Sequence, residues 1–168
     1  ARYQFYLAQS YRDAGLLEKS LAAYLKRASM DGWHEEKFYA LYQTGKLKES
    51  LNYSMDELHD QYLRAYESHP ERAEPLYALS RLFRLAGRPA VAYMYARIAR
   101  DLRVRSNFLF VDRWIYSVGI LDEICATAWY AKAYEEGLTA CYEIPQTERI
   151  KENLSYYLDH TLDIEIKL

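Results

Sequence analysis

Polar and apolar residues in the first part of the chain recur with the spacing of two amphipathic helices. The stretch 2–30, RYQFYLAQSYRDAGLLEKSLAAYLKRASM, contains two such segments, one on each side of Gly15. Residues three or four positions apart share one face of a helix, so a recurrence at this spacing predicts a buried face. The apolar or small residues that form it are Phe5, Leu7, Ala8, Tyr11, Leu17, Ser20 and Tyr24. The pattern therefore predicts a helix–turn–helix unit.

This unit recurs along the chain with the signature of a tetratricopeptide repeat. That signature has the form W-x2-L-G-x2-Y, then A-x3-F, then P, with a period of about 34 residues. In the first unit, five residues fall on it in register: Leu7, Ala8, Tyr11, Ser20 and Tyr24. We predict an all-α fold, a tetratricopeptide-like solenoid of helical hairpins in a single domain over residues 1–168. Its predicted parts are repeats at about 2–32, 35–70, 73–103 and 114–143, and a capping helix at about 146–160.

The spacing between the repeats is not uniform. Gly15 and Gly87 occupy the same turn position in the first and third repeats, and they are 72 residues apart, which is four more than two periods of about 34. Loops tolerate extra residues because the added entropy of closing a longer loop is small. The four residues are therefore predicted to lie in the loop of the second repeat, around 48–54. Ser54 and Glu57 have the spacing of a capping box, which predicts the start of the next helix.

Two segments depart from the helical pattern. Residues 101–113 break the period, and the short apolar run 108–111 inside them is predicted to pack onto the repeats as a connector. The final residues 163–168 alternate polar and apolar side chains with a period of two, which is typical of a strand. An extended arm or a strand is predicted there.

The composition is that of an ordinary globular protein, with 51% hydrophobic and 27% charged residues. The two cysteines, Cys125 and Cys141, occupy positions of the fourth repeat where small buried residues pack. They are predicted to be buried structural thiols and not a disulfide framework or a metal site. The histidines lack the spacing of metal ligands, so neither a metal site nor a cofactor is predicted. The histidines are His34, His59, His69 and His160.

The net charge of −2 conceals an uneven distribution. Residues 72–113 hold nine Lys and Arg against three Asp and Glu, whereas residues 114–168 hold four against ten. The basic block could attract an anionic partner, form a solvated face or pair with the acidic block. A pI near 6.1 argues against nucleic acid as a partner. Neither a secretory signal nor an apolar run of membrane-spanning length is visible, and a cytoplasmic location is predicted.

The first helix of each repeat is predicted to line the concave groove of the solenoid. Register positions on its inner face combine aromatic and cationic side chains. Arginine and lysine beside aromatic rings suit a carboxylate, a phosphorylated group or an acidic peptide, and an aromatic ring also suits a stacked sugar. The alternative is a solvated surface with no ligand. The predicted groove consists of Phe5, Gln9, Arg12, Tyr39, Gln43, Lys46, Tyr77, Arg81, Arg84, Trp129 and Tyr130.

Catalytic motifs are not found in these 168 residues. There is neither a glycine-rich phosphate loop nor a G-x-S-x-G or H-E-x-x-H motif. The carboxylate pairs 122–123 and 135–136 fall on predicted helices, where adjacent side chains point apart. We predict that this chain by itself has no catalytic residues.

Five stretches that together cover most of the chain are RYQFYLAQSYRDAG, RAEPLYALSRLFRLAG, AVAYMYARIA, FLFVDRWIY and LDEICATAWYAKAYEEGL. They resemble a repeat module found downstream of the catalytic domain in some bacterial family-2-type glycosyltransferases. The resemblance implies a nucleotide-sugar transferase with a GT-A catalytic domain, whose Asp-x-Asp metal motif would lie upstream. The module would position the acceptor glycan or protein, or drive homo-oligomerisation.

The first repeat begins at residue 1 without a capping helix before it. An uncapped solenoid end exposes core-type surface, so we expect a fragment of a longer polypeptide with an upstream domain packed on the first repeat. Two functions remain in view. The first is a non-catalytic scaffold that binds a protein, peptide or glycan acceptor as an accessory domain of a glycosyltransferase. The second is a stand-alone peptide-binding adaptor.

Overall fold

The computed structural model describes the backbone of residues 1–167 and the side chains of residues 1–160. Within this part the regular secondary structure is helical, which confirms the predicted all-α class. A π-helical turn covers Ile115–Gly119 and a 3-10 turn covers Ala128–Ala131. The α-helices are α1 (Arg2–Asp13), α2 (Leu17–Ala28), α3 (His34–Ser50), α4 (Met55–Ser68), α5 (Glu74–Leu85), α6 (Pro89–Arg100), α7 (Ile120–Thr127), α8 (Tyr134–Tyr142) and α9 (Glu148–Lys167).

The same glycine turn joins α1 to α2 and α5 to α6. Gly15 and Gly87 both have φ of +72°, a left-handed conformation that suits glycine because it has no Cβ. Gly15 N–H donates to the carbonyl of Arg12 at 2.9 Å, and Gly87 N–H donates to that of Arg84 at 3.1 Å. These bonds satisfy carbonyl groups that the end of a helix leaves without an intrahelical donor. The turns predicted at both glycines are confirmed.

The extra residues of the second repeat lengthen a helix instead of a loop. Helix α3 has 17 residues, whereas α1 and α5 have 12 each. The prediction of a loop insertion around 48–54 is therefore wrong as far as Ser50, because residues 48–50 contain neither glycine nor proline and continue the helix. The capping box at the start of α4 is confirmed, with Ser54 N–H donating to the Glu57 carboxylate at 3.1 Å.

The chain divides into two compact units. Unit 1 comprises residues 1–75 and 104–111, and unit 2 comprises residues 76–103 and 112–168. The single domain over residues 1–168 remains a prediction, and so does the solenoid arrangement of its hairpins.

In unit 1, successive helices pack in sequence order, α1 on α2, α2 on α3 and α3 on α4. Their core is rich in aromatic side chains, and one contact depends on glycine. A Cβ at Gly45 would lie 2.5 Å from the ring of Tyr62, which is fully buried. Glycine therefore lets α3 approach the Tyr62 ring closely. The largest buried apolar side chains here are Phe5, Tyr24, Phe38 and Tyr62.

A cluster of charged side chains is buried in unit 1. Glu35 accepts hydrogen bonds from Arg72 Nη1 at 2.8 Å and from the backbone N–H of Leu109 at 2.9 Å. Its other oxygen lies 2.6 Å from Nε2 of His69. Arg72 also binds Glu74, with Nη2 donating at 2.6 Å. A buried charge is tolerated when it is paired and hydrogen-bonded, and this cluster meets both conditions.

Residues 104–111 pack against the helices of unit 1. The ring of Phe110 stacks on Phe5 with centroids 5.7 Å apart and lies 4.7 Å from that of Tyr39. Phe108 meets the ring of His69 edge-on at 5.2 Å. The connector predicted at 108–111 therefore does pack onto helices, here those of unit 1.

Unit 2 contains the disulfide Cys125–Cys141, which joins α7 to α8. Both cysteines are buried, as predicted, but the prediction of free thiols is wrong. Their Cα atoms are 4.9 Å apart because both occupy small positions where the two helices pack together. This separation lies within the range that a disulfide requires. The spacing that predicted burial also places the two sulfurs within bonding distance.

Helix α9 extends beyond the predicted capping helix at 146–160 and runs to Lys167. The prediction of an extended arm or strand over 163–168 is therefore wrong as far as Lys167. Leu168 lies outside the described residues. A short period-two pattern does not prevent a helix from continuing, since each added residue contributes one more hydrogen bond.

Replacing Arg72 by methionine should strongly destabilise unit 1. The change leaves Glu35 and Glu74 buried without the guanidinium, and breaking a buried ion pair in this way costs about 3–5 kcal/mol. Urea unfolding followed by far-UV circular dichroism measures the loss. Arg64→Met on the exposed side of α4 is the matched control, and it should change stability by no more than about 0.5 kcal/mol. Equal effects of the two variants would contradict the structural role of Arg72.

Alkylation and mass spectrometry test the disulfide. Unfolded, unreduced protein should take up no iodoacetamide, and reduced protein should take up two adducts. The bond spans 16 residues, and a loop of this size contributes about 3 kcal/mol. Reduction should therefore lower the free energy of unfolding by about that amount. A variant with Cys125→Ala and Cys141→Ala should not respond to the reductant. Two adducts without reduction would show that the bond is absent.

Candidate functional site

The side chains predicted to line a groove have different environments in unit 1. Phe5 is only 1% exposed, because Phe110 stacks on it, and Gln43 is also buried. Neither side chain is accessible to a ligand in this conformation. Tyr39 is half-buried against Phe110, and Gln9 is half-buried on α1.

The two predicted cations of unit 1 have neighbours within the unit. Arg12 donates to the hydroxyl of Tyr39 at 3.3 Å and to the carboxylate of Asp13 at 2.9 Å. The ammonium of Lys46 lies 5.8 Å from the ring centroid of Tyr42, and the side chain is exposed. The charge of Arg12 is thus shared with a neighbouring carboxylate, which weakens the case for an anion site here.

In unit 2, the predicted groove residue Arg84 is held by a carboxylate. Its Nε and Nη2 donate to the two oxygens of Glu123, each at 2.9 Å. This bond to Glu123 raises the pKa of Arg84. The ring of Tyr77 packs edge-on against Trp114 with centroids 6.1 Å apart. Arg81 is half-buried on the same helix.

The remaining predicted residues, Trp129 and Tyr130, lie together at a cleft in unit 2. The cleft has a volume of about 160 Å³ and is formed by the end of α7, the following 3-10 turn and α9. Tyr130 is 62% exposed and Tyr156 is 56% exposed, so two aromatic rings are accessible at its walls. Its lining consists of Cys125, Ala126, Trp129, Tyr130, Asn153, Tyr156 and Tyr157.

Local backbone structure explains why this cleft forms. Helix α7 ends at Thr127, and the 3-10 turn that follows is closed by Lys132 in a left-handed conformation with φ of +59°. Trp129 and Tyr130 therefore lie in the 3-10 turn and not on α7. On α9, Asn153, Tyr156 and Tyr157 are three and four residues apart and therefore share one face. That face supplies the opposite wall.

Tyr157 fixes α9 against the end of α7. Its hydroxyl donates to the carbonyl of Cys125 at 2.9 Å and accepts from the backbone N–H of Trp129 at 3.0 Å. Burial raises the pKa of Tyr157 to about 12. A Cβ at Gly137 would lie 2.4 Å from the Tyr157 ring, so glycine on α8 provides the space for it. The floor of the cleft is thus a rigid aromatic ring.

The ring of Trp129 is supported from several sides. It meets Tyr157 at 5.6 Å, Tyr134 at 5.0 Å and His160 at 5.4 Å, each edge-on. Edge-to-face packing is favourable because the positive rim of one ring meets the negative face of the other. The indole is held in place without a ligand, which lowers the entropy lost when one binds.

The chemistry of the cleft suits a ligand with one flat apolar face and few polar groups. Of the described side chains that line it, none carries a charge, and Asn153 contributes an amide. Asn153 Nδ2 lies 3.7 Å from Sγ of Cys125. Ligand sites are mostly apolar with a small number of placed polar groups, and this cleft has that composition.

Sequence reasoning missed part of this cleft and one further cluster. The sequence predicts only a capping helix for Asn153, Tyr156 and Tyr157; their spacing indicates a shared helical face, whereas its position beside Trp129 comes from the structure. In unit 1, His34 and His69 come together at Glu35. These histidines are 35 residues apart, which is close to the predicted repeat length of about 34 residues.

A search against protein-family models gives no match for this chain, and a search of curated proteins gives none either. Over the part of the chain that the structure describes, none of the helices combines the length and apolar character needed to cross a membrane.

Replacing Tyr157 by phenylalanine should lower the free energy of unfolding by about 1–3 kcal/mol, because the N–H of Trp129 loses its acceptor and the carbonyl of Cys125 loses its donor. Tyr156→Phe is the matched control, since its side chain is exposed on the same helix. Thermal or urea unfolding measures the stability of both variants. Equal stabilities for the two variants would show that the Tyr157 hydroxyl does not fix the cleft.

The same pair of variants has a defined pH dependence. The pKa of Tyr157 is raised from 10.0 to about 12 in the folded chain, so its contribution is complete below pH 10 and is lost as the pH rises through about 12. The difference in stability between wild type and Tyr157→Phe should therefore be constant below pH 10 and shrink above it. A difference that grows with pH would contradict the assignment.

Proposed function

We propose that this chain is a non-catalytic scaffold of tetratricopeptide-like helical hairpins and that its cleft in unit 2 binds a neutral glycan. The scaffold would serve as an accessory domain of a nucleotide-sugar-dependent glycosyltransferase and position the acceptor. The observation that carries the proposal is the cleft walled by the exposed rings of Tyr130 and Tyr156, with Trp129 and the Asn153 amide beside them.

A sugar ring matches this cleft in shape and polarity. Its C–H face is flat and apolar enough to lie on an aromatic ring, while its hydroxyl groups need hydrogen-bonding partners at the edge. Asn153 offers both a donor and an acceptor through its amide. The volume of about 160 Å³ suits one sugar residue. We therefore expect one residue of a longer glycan to enter the cleft.

An anionic ligand is less well supported than a neutral one. The cationic residue Arg84 of unit 2 is already bound by Glu123 through two hydrogen bonds. On α9, Arg149 is paired with Asp122. Displacing such a carboxylate would cost a ligand part of its binding energy. This argument favours a glycan over the acidic peptide that the sequence also suggested.

The helical hairpins support a scaffold role. The Gly15 and Gly87 turns have matching geometry and lie at the register positions of the repeat signature. Repeat proteins present extended surfaces for binding and need no reactive group to do so. The resemblance of the sequence to modules of bacterial family-2-type glycosyltransferases supplies the expected context.

A glycan and peptide array, followed by titration calorimetry with the best binder, tests the proposal. Tyr130→Ala and Tyr156→Ala should each weaken glycan binding by about 1 kcal/mol or more, roughly fivefold, because each removes a stacking surface. Tyr142→Ala is the matched control, since this tyrosine is exposed on α8 outside the cleft. It should leave the affinity unchanged.

Three outcomes count against the proposal. Binding to peptides only would favour a peptide-binding adaptor. Glycan binding that both cleft variants leave intact would place the site elsewhere, and binding to neither class would remove the cleft as a ligand site.

A further inference from the structure

We propose that His34, Glu35 and His69 form a binding site for a divalent transition metal, with Zn²⁺ as the best-suited ion. The site lies in unit 1, apart from the aromatic cleft, and it does not depend on the glycan proposal. It would join the first turn of α3 to His69, the C-cap residue that follows α4.

The three side chains bring suitable donor atoms together. One atom from each of His34, Glu35 and His69 lies within 4.8 Å of the others. Nε2 of His34 is 3.4 Å from Oε1 of Glu35, and Nε2 of His69 is 2.6 Å from the same oxygen. Donors around a tetrahedral zinc ion are about 3.3 Å apart, given zinc–ligand bonds of about 2.0–2.2 Å. The first distance already fits, and the second would open slightly to admit the ion.

The donor set favours zinc over calcium or magnesium. Imidazole nitrogen suits zinc, copper, iron and nickel, whereas calcium and magnesium prefer oxygen ligands. Two histidines with one glutamate are the protein ligands of several zinc sites that keep a fourth position open. His34 is 60% exposed at its side chain and faces solvent, so a water molecule could complete the coordination.

The carboxylate of Glu35 is held in the orientation that a ligand needs. Its Oε2 accepts from Arg72 Nη1 at 2.8 Å and from Leu109 N–H at 2.9 Å, which leaves Oε1 directed at the two histidines. Outer partners of this kind fix the geometry of metal ligands and affect affinity. Because Arg72 also binds Glu74, its positive charge is divided between two carboxylates. Glu35 therefore keeps negative charge to offer a cation.

The surroundings of His69 limit its motion. The rings of Phe38 and Phe108 meet its imidazole edge-on at 5.7 Å and 5.2 Å. His69 also ends α4, where the helix dipole places partial negative charge and favours a cation. The imidazole of His34 lies 5.0 Å from that of His69 between centroids, so a small rotation of the exposed ring completes the site.

Titration of the chelator-treated chain of residues 1–168 with Zn²⁺ tests the site. Wild type should bind one equivalent, and His34→Ala should bind at least about tenfold more weakly, because even the loss of an outer partner has an effect of that size. His34 is the residue to replace, since its exposed side chain can be removed without opening the buried cluster. His59→Ala on α4 is the matched histidine control and should bind like wild type.

Two further measurements separate a metal site from a buried ion pair. Co²⁺ should give visible absorption bands of a tetrahedral complex with wild type and lose them with His34→Ala. Zn²⁺ should raise the melting temperature of wild type but not of His34→Ala, because a ligand that binds the folded state stabilises it. Failure of wild type to bind Zn²⁺, or unchanged binding by His34→Ala, would overturn the proposal and leave only the contact between Glu35 Oε1 and His69 Nε2.

Discussion

The buried carboxylate of Glu35 is the constraint on which the architecture of unit 1 depends. A carboxylate removed from water costs several kcal/mol unless partners replace its hydration, and Glu35 obtains them from separate parts of the chain. His69 ends α4, Arg72 lies in the segment after it, and Leu109 belongs to the connector. Each of these segments must be in place before the charge is compensated. The cluster thus fixes where the connector lies, and the connector in turn places Phe110 over Phe5.

The packing of unit 2 depends on the aromatic side chain of Tyr157, whereas that of unit 1 depends on the charge of Glu35. The Tyr157 ring fits only because Gly137 has no Cβ, and its hydroxyl completes the backbone bonding where α7 gives way to the 3-10 turn. The same residue that closes the core therefore forms the floor of the cleft. The floor of the cleft resists movement, because moving Tyr157 would leave polar backbone groups buried without partners.

Local signals in the sequence predicted the helical class, the turns at Gly15 and Gly87 and the capping box at Ser54, since each depends on residues a few positions apart. Contacts between distant residues were harder to predict. The pairing of Cys125 with Cys141 required two small positions to be recognised as neighbours as well as buried. The burial of Phe5 depends on a segment over 100 residues later, which no helical periodicity reveals. Trp129 and Tyr130 were predicted on the inner face of a helix, whereas they lie in a 3-10 turn, and the opposite wall on α9 needed the tertiary structure.

The disulfide is relevant to the cellular compartment of the chain. Disulfides persist in oxidising compartments and are rare in the cytosol, where thiols are kept reduced. In the predicted cytoplasmic location Cys125 and Cys141 would be kept reduced, whereas in the structure they are joined by a disulfide. Both cysteines are buried, which limits the access of a reductant to the bond. Cys125 lines the cleft, and Tyr157 at its floor donates a hydrogen bond to the Cys125 carbonyl, so loss of the disulfide should also affect the cleft. An oxidising setting would keep the cleft in the form described, because the bond between Cys125 and Cys141 would persist there.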